Sequence, residues 1–187
     1  MAAETSSQSS LDSLLEESIP AVPKHSSHPR YLFHLAFTIL HNLQHQHDWS
    51  LLSIHTHSSL TGLPFRRPLV SGLPPRRVYV HPDEQAEILK AEHQTGTTIV
   101  QHPEREWILP THLAEKWSLK KFAAVFDDIE TVPPSEEDLE TNDFQIQVGQ
   151  KWRGKQRQKR LLLATLHDDS TVVYYIMHDG IVKPRQN

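Results

Sequence analysis

Apolar positions recur at four-residue steps through Tyr31, Leu35 and Ile39, with Leu32, Ala36, Leu40 and Leu43 beside them. That is a helical period. Phe33 and Phe37 widen the stripe, so the predicted helix is apolar around much of its girth and largely buried. It ends in the polar run 44–48. Leu51 to His57 then reads as a strand, followed by a loop punctuated by Gly62, Pro64, Gly72, Pro74 and Pro75. The β-branched and aromatic content of Arg77-Val78-Tyr79-Val80-His81 predicts a second strand. Pro82 follows where a first helical residue belongs. Asp83 and Glu84 face the positive end of the helix dipole, Lys90 lies toward the other end, and Gly96 supplies the stop.

Thr97–Gln101 and Arg105–Leu109 read as two short strands joined by His102-Pro103-Glu104. After Pro110 the periodicity slips. Leu113, Ala114 and Trp117 fit one helical face, whereas Leu119, Phe122, Ala123 and Phe126 fit a shifted one. Ser118 at the slip is a capping residue, which predicts a short helix and then a longer one over 119–129. Residues 127–142 are acidic and carry Pro133-Pro134, the pattern of a flexible, solvated insertion. Arg160–Leu166 is a near-continuous apolar strand, a sign of burial on both faces. His167-Asp168-Asp169-Ser170 makes the turn, and Thr171–Met177 is the return strand, closed by Asp179-Gly180. The order of elements predicts an α/β domain of the α+β kind: a mixed sheet flanked by helices and ending in an antiparallel hairpin.

Residues 1–28 are rich in Ser, Glu, Ala and Pro, and read as a disordered tail ahead of one domain over 29–187. The first ten residues carry no basic start and no apolar stretch, so a secretory leader is not expected. The chain has no cysteine, which removes disulfides, thiolate metal sites and cysteine nucleophiles together and fits a reducing compartment. A net charge of -4 and a pI near 6.4 do not suit a dedicated nucleic-acid binder.

Two local patterns carry candidate chemistry. Lys151, Arg153, Lys155, Arg157 and Lys159 alternate, and in an extended segment they share one face suited to a phosphate backbone. A solvated loop or a nuclear import signal is the plainer reading of such a run. The chain also holds 14 histidines. His41 and His45, and likewise His55 and His57, are spaced to share a face, as metal ligands would need. No H-E-x-x-H arrangement and no carboxylate at a consistent interval accompanies them, so no metal and no cofactor is expected. Their number leads to the expectation that assembly with a partner is sensitive to pH between about 5 and 7.

The run Leu161-Leu162-Leu163-Ala164-Thr165-Leu166-His167-Asp168-Asp169-Ser170-Thr171-Val172-Val173-Tyr174-Tyr175 resembles the closing hairpin of the tRNA-intron endonuclease fold. Asp179-Gly180 with Pro184, the helix around Tyr31-Leu32-Phe33, the segment Tyr79–Gln85 and Trp107–Leu113 are similar to the smallest, non-catalytic subunit of the eukaryotic tRNA-splicing endonuclease. The resemblance spans about residues 29–187. It implies a structural subunit in a nuclear heterotetramer of two catalytic and two structural members, acting on precursor tRNA. It also implies that the last strand pairs edge to edge with a catalytic subunit, the smaller one being expected. The interface residues it implies are Asp168, Asp169, Thr171, Val172, Val173, Tyr174, Tyr175, Ile176 and Met177. The acidic turn at Asp168 and Asp169 would sit against a basic surface of a neighbour. Self-pairing of the isolated chain through the same strand is left open.

Catalytic members of the family cleave RNA without metal by a Tyr, His and Lys trio, and present the histidine after a glycine-rich, phenylalanine-containing segment. No such segment is found here. Tyr79, His81 and Lys183 can be assembled into a trio only on paper, so no catalytic residue is assigned. Readings of other classes are an RNA-cleaving or metal-dependent enzyme active on its own, and a stand-alone RNA-binding module.

Overall fold

The computed structural model describes residues 28–134 and 148–182. The expected tail up to residue 27, most of the acidic insertion (135–142), and Lys183 and Pro184 lie outside the described residues. The chain runs α1 (Arg30–Gln46), β1 (Ser50–His57), β2 (Pro64–Leu73), α2 (Pro82–Thr95), β3 (Glu106–His112), α3 (Leu119–Asp128), two short 3-10 turns (Gln150–Trp152 and Gly154–Gln156), β4 (Arg160–Leu166) and β5 (Val172–His178). The five strands form one mixed sheet in the order β1-β2-β3-β4-β5. Among the described strands only β3 and β4 are parallel, Trp107 pairing with Leu161 and His112 with Leu166. The α+β architecture and its closing hairpin are those the sequence predicts.

Side chains on a strand alternate between faces, and the two cores follow that alternation. Val70, Ile108, Leu162 and Ala164 meet Ala36, Ile39 and Leu43 of α1 on one face. Leu69, Trp107, Leu109 and Leu161 meet Val125 and Phe126 of α3 on the other. Strands covered on both sides read as continuous apolar runs, which is why β4 was legible. Helix α1 buries Leu32, Phe33, Leu35, Ala36, Ile39 and Leu43, while Tyr31 faces solvent.

The punctuation of the remaining helices also holds. His81 caps α2, its ring nitrogen accepting from the Asp83 N–H at 3.2 Å, with Pro82 at the first helical position. Gly96 ends α2 with φ 68°, a left-handed conformation open to glycine at no steric cost. Ser118 caps α3, its hydroxyl accepting from the Lys121 N–H at 3.3 Å.

Five expectations are corrected. Residues 64–73 are not loop but strand β2, central in the sheet. Its prolines are tolerated because β3 pairs only with Val70, Ser71 and Gly72, and the β1 register is irregular over the stretch holding Pro68. Gly72 marks a close approach, since a Cβ there would meet Leu52 Cδ2 at 2.6 Å. Residues 77–81 and 97–101 form no strands; Arg77 and Gln101 are instead drawn into a polar cluster described below. The short helix expected before Ser118 is a turn at 113–114, because β3 continues through His112. The acidic insertion starts later than residue 127. Asp127 and Asp128 finish α3, Ile129 is buried, and Trp107 Nε1 donates to the Glu130 carbonyl at 3.0 Å.

Candidate interaction surface

A five-stranded open sheet has two edges, each with backbone donors and acceptors lacking a partner strand. They are not equivalent here. On β1 the pairing with β2 breaks register twice, between Ser50 and Ser53 and between His55 and His57. Leu51 sits at φ 50°, costly for a side chain with a Cβ. Its carbonyl is occupied by Arg105 Nη2, which donates to it at 3.0 Å. Bulges and a blocking side chain are the usual means of closing an edge to other chains.

On β5 nothing of the kind occurs. All seven residues hold one register with β4, from Val172 opposite Leu166 to His178 opposite Arg160. Among the described residues no strand pairs with the opposite flank of β5. Tyr175 is 59% exposed and Ile176 36%, large apolar side chains on the two rims of that flank. Tyr174 turns inward to α1, where its hydroxyl donates to Asn42 Oδ1 at 2.6 Å and its ring meets His47 edge-on at 5.2 Å. Burial pushes its phenol well above the ordinary value. The expected interface residues thus divide by role: Tyr174 anchors the strand, and Tyr175 and Ile176 face outward.

The acidic turn is ordered by its own chemistry. Asp169 Oδ1 accepts from the Thr171 N–H at 2.9 Å, the short side-chain turn aspartate favours. That bond holds the Asp169 carboxyl below its ordinary range. Asp168 lies 3.2 Å from His112 Nε2 and is almost fully exposed.

The basic run does not share one face. The two 3-10 turns coil it, and Arg153 and Arg157 point inward. Arg153 and Arg77 both donate to Glu84, at 2.9 and 2.6 Å, and both to Gln101. Arg157 and Arg160 share Glu106, and Glu104 adds contacts to Arg160 at 3.1 Å and to the Gly154 N–H at 2.7 Å. Burial opposes the charge on Glu104, but Arg157, Gly154 and Arg160 outweigh it and hold its carboxyl below the usual range. Burial likewise pulls Arg160 down, and its bonds to Glu106 reverse that and raise it. Lys159 donates to the Phe126 carbonyl at 2.9 Å. Lys151 pairs with Glu87 at the surface, and Lys155 is exposed. Two of the five, Arg153 and Arg157, therefore join Arg77 and Arg160 in an internal clasp that ties α2, β3 and β4 together.

The other candidates are engaged elsewhere. The Tyr79 ring lies 4.6 Å from His178, and His81 stacks on Trp152 at 5.5 Å. His41 and His45 touch on the outer face of α1, with ring centroids 4.3 Å apart. His55 bonds Ser71 Oγ at 2.8 Å, whereas His57 bonds Thr56 Oγ1. Among the described residues no three His, Asp or Glu side chains converge on a metal-sized site.

Two histidines carry a pH consequence. Burial, reinforced by Arg105, holds His55 below its ordinary 6.5. Burial, then Arg160 and His81, does the same to His178. The unfolded chain takes these protons first, so their contribution is intact above 6.5 and is lost as pH falls below it. The urea midpoint should be lower at about pH 5.5 than at about pH 7.5. Replacing both rings (His55→Gln with His178→Gln) should remove most of that difference, and an undiminished difference would exclude them as its source.

A family model described as "Sen15 protein" matches residues 38–187. The chain is also similar to the probable tRNA-splicing endonuclease subunit tsp-1 of Neurospora crassa, 53% identical over 159 residues, covering 84% of this chain and 68% of that relative.

Proposed function

The chain belongs to the Sen15 protein family, and from that premise we propose that it is a non-catalytic, structural subunit of a tRNA-splicing endonuclease complex. The observation that carries the mode of action is the contrast between the edges: β1 is blocked and β5 is straight, anchored and open. A strand from a catalytic subunit adds to β5 by main-chain hydrogen bonds, with Tyr175 and Ile176 read from the two rims. The proposed assembly is a nuclear heterotetramer.

Reconstitution separates this reading from its rivals. The purified chain alone should leave intron-containing tRNA uncut, and the catalytic subunits should assemble and cleave only when it is added. Robust cleavage by the chain alone would mark an enzyme, and tight tRNA binding without partners would mark a stand-alone RNA-binding module. Lys151 and Lys155 are the proposed RNA contacts, and reversing both charges should flatten the salt dependence of tRNA binding to the assembled complex. An unchanged slope would remove them.

A further inference from the structure

Beside the open edge lies a cleft of about 620 Å³, between the end of α1 and the connection 74–78. Its position relative to β5 follows from two contacts. Tyr174 meets His47, which lines one wall. His178 meets Tyr79, the residue after Val78 on the other wall. Residues 174, 176 and 178 share a face of the strand, so the half-exposed Ile176 stands between these two contacts. No residue of β5 lines the cleft, so a segment that continues from a strand added along β5 reaches it past His47 or Tyr79.

The lining specifies an occupant. Pro75 gives a stiff, exposed apolar surface with no N–H group, backed by the buried Pro74, and Val78 is 38% exposed. Arg76 is exposed and has no carboxylate partner among the described residues. Behind it the Arg77 Nε–H is buried without a hydrogen-bond acceptor. Asp48 and the carbonyl end of α1 share the rim, so the cleft has little positive field for a run of phosphates. One guanidinium beside an apolar wall instead fits a single carboxylate next to an aromatic or aliphatic side chain.

We infer that this cleft receives an extended, carboxylate-bearing segment of the same subunit that pairs with β5. Its apolar side chain lies on Pro75 and Val78, and its carboxylate on Arg76. The inference rests on the strand-pairing reading and adds a second, sequence-selective contact to it.

The test is made on the assembled complex, with the photo-crosslinker benzoylphenylalanine placed at Val78 and, separately, at Tyr175. Both positions should cross-link to one subunit, and the Val78 product should map to a segment with an acidic residue beside an apolar one. Cross-linking from Tyr175 alone would overturn the cleft inference and leave strand pairing standing. Silence at both positions in an intact complex would overturn both. A Val78 product on tRNA would assign the cleft to nucleic acid instead. In parallel, Arg76→Glu should weaken subunit affinity roughly fivefold to tenfold, mainly through slower association at low salt, whereas Arg76→Lys should stay within about twofold. Equal affinity for the two variants would remove the proposed carboxylate.

Discussion

Glu106→Ala should cost the domain about 3–5 kcal/mol of folding free energy, the range for breaking a buried ion pair from one side. Glu106 is buried at the start of β3, and its two oxygens are shared by the buried guanidinium groups of Arg157 and Arg160. Removing the carboxylate leaves both cations out of water with only Glu104 nearby. Little of that loss is due to packing. Deleting Arg157 together with Glu106 (Glu106→Ala with Arg157→Met) should therefore recover a good part of it, because the double variant removes one charge of each sign. Urea unfolding of the two variants measures this directly. Equal destabilisation in both would show that packing, and not charge, is what Glu106 supplies.

Tyr175→Glu combined with Ile176→Glu should lower affinity for the catalytic subunit by at least roughly 100-fold, about 3 kcal/mol. Both side chains are already exposed, so the fold should tolerate the change. An added strand would bury the two new charges without partners. Leu51→Glu supplies the contrast. Leu51 is as exposed as these two, but it lies on the bulged β1 edge. That variant should bind within about twofold of the parent protein. Comparable losses at both edges, or none at either, would refute the assignment of β5 as the paired strand.

The sequence exposed the parts of this fold that local chemistry decides. Helix α1 follows from an unbroken apolar period, α2 from Pro82 and Gly96, α3 from Ser118, and the β4–β5 hairpin from two apolar runs around an aspartate turn. Strand β2 was hidden because Pro64, Pro68, Gly72 and two arginines carry the marks of a loop. Only the neighbours on either side make such a segment a strand. The clasp was hidden for a related reason. Arg153 and Arg157 look like a solvent-facing run until Glu84, Glu104 and Glu106, about 50 to 70 residues away, are brought beneath them. The spacing of Glu104 and Glu106 across from alternating arginines was the available signal. Spacing alone gives no direction of approach. The strand proposed as the interface was legible as a strand, while its place at the sheet edge depended on the order of all five.

The parallel alignment of β3 and β4 has a further consequence for how the subunit is made. Glu106 waits for Arg160, 54 residues later in the chain, and closing so long a connection is slow compared with forming a hairpin. During synthesis, α1, β1 and β2 can associate early. Strand β5 emerges last among the described strands. A growing chain therefore has no finished sheet to offer until β4 has docked and β5 has found its anchor on α1, and recruitment of a sister subunit waits for that step.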